Sequence, residues 1–68
     1  MIEVFRNLEA ELKRKNITRL DLTKILGLSI STVSLKLNGK SHITFDEALK
    51  LKKALNTELS LEFLFATD

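Results

Sequence analysis

Sixty-eight residues leave room for one domain, spanning 1–68, and the absence of cysteine removes both a disulfide and a cysteine-based zinc site as staples for so short a fold. The formal charge is only +2, but it is unevenly spread: residues 1–12 sum to −2, residues 13–40 to +6 and residues 41–68 to −2. With no signal-like leader, no proline, no internal repeat and only short apolar runs against the roughly 20 residues a bilayer needs, the expectation is a soluble, cytoplasmic, all-α protein.

Residues 2–15 read as a first helix, with Phe5, Leu8 and Leu12 on one stripe and charged residues opposite. Lys13, Arg14 and Lys15 suit the negative end of its dipole, and Asn16 can adopt a left-handed stop. Thr18 opens a second helix, with Asp21 three residues on forming a capping-box pattern and Leu22, Ile25 and Leu26 as its apolar stripe. Gly27 ends it. Ser29 caps a third helix, anchored inward by Val33 and Leu37 and stopped by Gly39. The Thr44-Phe45-Asp46-Glu47 capping box starts a fourth, in which Ala48, Leu51 and Leu55 point inward with Leu49 beside them, until Asn56-Thr57 breaks it. A last short helix runs from about Leu61 to Ala66, capped by Ser60.

The informative stretch is about residues 18–39. Two helices of about eight residues flank Gly27-Leu28-Ser29, a glycine-containing turn that sets the second at a steep angle to the first. A helix projecting in this way fits the major groove of B-DNA, where base pairs present distinct donors and acceptors. Seven cations in the middle third (Lys13, Arg14, Lys15, Arg19, Lys24, Lys36 and Lys40), against Asp21 alone, would draw a polyanion there. At about 100° per residue, Val33 and Leu37 share the core side of the third helix. Ser31, Thr32, Ser34, Leu35, Lys36 and Asn38 spread around the rest. Taken alone, this pattern also fits a merely solvated helix.

The sequence resembles the lambda-repressor-like (Cro/cI, XRE) helix-turn-helix family over residues 17–65. The resemblance rests on Ile17-Thr18-Arg19, Leu22-Thr23-Lys24-Ile25-Leu26-Gly27-Leu28-Ser29, Ser31-Thr32-Val33-Ser34, Leu37-Asn38-Gly39-Lys40 and the Thr44–Leu55 helix, in that order and spacing. It implies a compact five-helix DNA-binding domain like those of small phage or prophage repressors and Cro-like proteins. Such proteins bind pseudo-palindromic double-stranded operators as homodimers, with a recognition helix at about 30–38 and no cofactor. By position, it places Thr18 and Arg19 at the start of the second helix beside the backbone, gives Ser29, Asn38 and Lys40 phosphate-facing roles, and puts Ile30, Ser31 and Leu35 at base-reading positions with Thr32 and Ser34 nearby.

The chain departs from the family where relatives often carry glutamine or arginine. Ile30 and Leu35 cannot make bidentate bonds to adenine or guanine, which leaves apolar contact with thymine methyl groups. Ile30 lies only about 20° from Leu37 on the wheel, so core edge and DNA contact are both open for it. His42 is read as a solvated loop residue or a phosphate contact. Phe63 falls opposite Leu61, Leu64 and Phe65, either in a homodimer interface or as a core-edge aromatic. No Ser/His/Asp constellation, cysteine or tyrosine supports an enzyme. The rival is a protein-interaction module or antitoxin, whose third helix would bind a protein partner such as an antirepressor or toxin.

Overall fold

A computed structural model describes residues 4–67 and contains five helices: α1 (Arg6–Arg14), α2 (Arg19–Leu26), α3 (Ile30–Leu37), α4 (Phe45–Leu55) and α5 (Leu61–Leu64). Each start except the first is fixed by a hydroxyl. Thr18, Ser29, Thr44 and Ser60 each accept a hydrogen bond from the backbone N–H three residues on. At Thr18 and Thr44 the capping box is complete, because Asp21 and Glu47 accept in return from the cap residue's own N–H at 2.9 Å.

α1 is shorter than its apolar stripe suggests. Phe5 stands at the N-cap without a side-chain cap and packs edge-on against Phe65, ring centroids 5.6 Å apart. The N-terminal part of the expected helix at residues 2 and 3 lies outside the described residues. α5 stops at Leu64 instead of Ala66, with Phe65 as its C-cap. The stops between helices fall on left-handed residues: Asn16, Gly27, Gly39 and Asn56 all have positive φ. Gly39 (φ +76°) also lies against Val4, whose Cγ2 would be 3.1 Å from an added Cβ, so both backbone and space call for glycine there.

Every helix contributes to one core. Leu8, Leu12, Leu22, Val33, Leu37, Leu51, Leu55 and Leu64 form its buried cluster, with Ile25, Leu26 and Phe65 packed half-buried around it. Leu49, expected beside the inward residues of α4, is instead exposed, since its position on the helix turns it away from Leu51 and Leu55. α2 packs on both α3 and α4, and α5 bridges α1 and α4. The third helix is therefore held chiefly through the second, leaving its far side open.

The capping carboxylates give the fold an acid limit. Hydrogen bonds from Thr18 hold the Asp21 carboxyl below its ordinary range, and the Thr44 backbone bond, with help from Lys36, does the same for Glu47. Both groups are more acidic folded than unfolded, so their stabilisation is complete above the unfolded pKa and is lost as pH falls through the folded value. Thermal melts are expected to be flat from neutrality to about pH 5 and to decline below about pH 4. A decline already under way at pH 6 would assign the effect to another group.

Candidate nucleic-acid interface

α3 offers an outward face made of small hydroxyls and aliphatics, with no acidic residue anywhere along it. Leu35 points almost directly away from Val33 and Leu37 and is 45% exposed. Ser31, beside it on the wheel, is exposed, and neither its hydroxyl nor that of half-buried Ser34 has a partner among the described residues. Ile30 is 47% exposed, more than its wheel angle beside Leu37 implies. It is the first residue of the helix.

Other candidate residues are partly occupied by the fold itself. The Ser29 hydroxyl accepts from the Thr32 N–H and shares a 2.9 Å hydrogen bond with the Thr32 hydroxyl. Thr18 is likewise committed to Asp21. Asn38 closes α3 as its C-cap, and Lys40 follows the Gly39 turn with an exposed side chain, its N–H donating to the Leu35 carbonyl. The surface therefore brings Ile30, Ser31 and Leu35 together on one helix, with Ser29 at its start and Asn38 and Lys40 at its end.

Arg19 sits at the first position of α2 and donates to Glu9 of α1 at 3.0 Å. This bond uses one of the five N–H donors of its guanidinium, so Glu9 aims the group while leaving donors for a phosphate. Lys36 is different. Its ammonium donates to Glu47 Oε1 at 2.9 Å and to the His42 carbonyl at 2.7 Å. Arg14 is held by Glu11 at 2.8 Å. Three of the seven cations in the middle third are thus ion-paired, and the positive field is weaker than the sequence count suggests. His42 is exposed, and its backbone takes the Lys36 bond.

One further apolar feature escaped the sequence pattern. Phe45 at the start of α4 is 71% exposed. It borders an open groove of 840 Å³ that also takes in Phe5, Ile43, Leu61 and Phe65 but no residue of α3. Phe63 is 48% exposed, as its wheel position implies, and its carbonyl accepts from the Asn7 side chain.

Two short helices joined by a glycine turn, the second presenting an acid-free and largely unpartnered face, define a DNA-binding helix-turn-helix regulator. The helix-turn-helix family profile matches residues 8–61, and the chain belongs to that family, in its lambda-repressor-like (XRE) branch. No curated protein and no solved structure matches the chain. The family is a DNA-binding regulatory one and typically non-enzymatic. Among the described residues no helix is long and apolar enough to cross a membrane.

Proposed function

We propose that the protein is a sequence-specific transcriptional regulator of the phage or prophage repressor or Cro type. It acts in the cytoplasm of a bacterial or phage-infected cell, and α3 enters the major groove of its operator. The observation that carries this reading is the outward face of α3, where Leu35 and Ser31 stand exposed on a helix without an acidic residue. Ile30, Ser31 and Leu35 meet base edges, Leu35 packing on a thymine methyl while hydroxyls of Ser31, Thr32 and Ser34 bond nearby. Thr18, Arg19, Ser29, Asn38 and Lys40 face phosphates, helped by the backbone amides at the start of α2 and α3. A second copy docks through Phe63, so that two recognition helices reach half-sites about one helical turn apart.

Selection of binding sites from random duplexes at physiological salt tests all three parts. The expected product is a palindromic site containing thymines, with Arg19→Ala weakening every sequence alike and Leu35→Ala changing the preferred bases. Phe63→Ala should bind half-sites without the spacing preference of the pair. A changed preference from Arg19→Ala would contradict its phosphate role. The exposed Ile30 and Leu35 favour one second reading, in which the same face holds a partner protein such as a toxin or antirepressor. Failure to enrich any duplex, together with stable one-to-one capture of such a protein, would support it.

A further inference from the structure

We propose that Lys36 and Glu47 form a strut that fixes the tilt of α3, making Lys36 a positioning residue for DNA recognition and not a phosphate contact. The inference rests on the DNA-binding reading above. One carboxylate oxygen joins two helices: Glu47 Oε1 accepts from the Thr44 N–H at 2.9 Å, completing the α4 cap, and from Lys36 Nζ at 2.9 Å. Lys36 Nζ also donates to the His42 carbonyl at 2.7 Å, so the same ammonium ties down the loop that connects α3 to α4. The side chains are 13% and 14% exposed.

The strut matters because α3 has its closest backbone packing against one neighbour. Its packing is chiefly against α2, through Val33 and Leu37 on one side of the helix. A helix held along one stripe can rock about that stripe. Lys36, on the flank between the core stripe and the outward face, supplies a fixed point on α4. Base-edge hydrogen bonds weaken steeply with small errors in distance and angle, so rocking costs the Ser31 and Leu35 face more than it costs the fold. Lys36 also has its charge turned toward the body, away from the face that Leu35 occupies.

Fluorescence anisotropy with the duplex recovered by selection, titrated between low and moderate KCl, tests the proposal on full-length wild type, Lys36→Met, Glu47→Gln, the double variant and Lys36→Arg. Lys36→Met is expected to weaken binding about tenfold with an unchanged slope of log affinity against log salt. Glu47→Gln keeps an oxygen for the Thr44 N–H and should weaken binding similarly, although removing a negative charge near DNA ordinarily strengthens it. The double variant should be no worse than either single one, and Lys36→Arg should retain most of the affinity.

A slope reduced by about one unit in Lys36→Met would instead make Lys36 a phosphate contact. Wild-type or tighter binding by Glu47→Gln would remove the strut's role. Circular dichroism melts identify any variant unfolded at the assay temperature. If one is, the other carries the test, and if both are, the pair is structural and the proposal is overturned. Failure of the wild type to bind any duplex would bring down the DNA-binding reading itself, and with it the strut. Wild-type binding with any of the other adverse results removes the strut alone.

Discussion

Leu22→Ala is expected to lower the melting temperature by roughly 10–30 °C. Leu22 is fully buried, belongs to α2, and lies in the cluster where α2 meets α3 and α4. Truncating such a leucine costs about 2–5 kcal/mol through lost burial and the cavity left behind. A chain of this size holds only about 3–10 kcal/mol in total, so the variant sits near its folding threshold. Leu20→Ala, two residues away on the same helix but exposed, should change stability by no more than about 0.5 kcal/mol. Urea denaturation of the pair, followed by circular dichroism, reads the difference. Equal midpoints for both would mean that α2 presents a different face to the core.

The second large effect falls on binding alone. Ser31→Glu is expected to reduce affinity for duplex DNA by about 100-fold or more, because a carboxylate on that face meets phosphates at about 1–4 kcal/mol of repulsion for each close approach. The fold should not suffer. Ser31 is exposed in the first turn of α3, which carries no acidic residue there, whereas α2 has Asp21 and α4 has Asp46 and Glu47 in the equivalent turns. A glutamate at the positive end of the helix dipole contributes about 0.3–1 kcal/mol of stability. The variant should thus melt at or above the wild-type temperature while losing DNA. Anisotropy beside a thermal melt separates the two, and Ser31→Ala shows how much of the loss comes from the missing hydroxyl alone. Undiminished binding by Ser31→Glu would place the outer face of α3 away from the duplex.

How much of this was legible in the chain depended on the range of the signal. The caps at Thr18, Ser29, Thr44 and Ser60 and the stops at Asn16, Gly27, Gly39 and Asn56 are local chemistry, and each acts within three or four residues of itself. They place the helix-turn-helix almost to the residue. The apolar period runs past the start of α1 unmarked, because Phe5 caps nothing with its side chain. Ile30 was undecidable on a wheel, since a wheel omits where along its axis a helix leaves its support. The pairs Lys36–Glu47 and Arg19–Glu9 join residues 11 and 10 positions apart across different helices, a separation no local pattern encodes. A charge count over residues 13–40 therefore read as open positive surface what the fold partly neutralises.

The aliphatic tip of Leu35 carries one more implication for the proposed regulator. A leucine senses the carbon substituent at C5 of a pyrimidine and has no atom with which to test the group at C4. Serine and threonine hydroxyls beside it donate or accept with equal ease, so they tolerate either a carbonyl or an amine at that edge. Thymine and 5-methylcytosine present the same C5 substituent, and this surface would treat them alike. Enzymatic methylation of cytosines in host or phage DNA would then redraw the set of sites the protein occupies without any change in the protein.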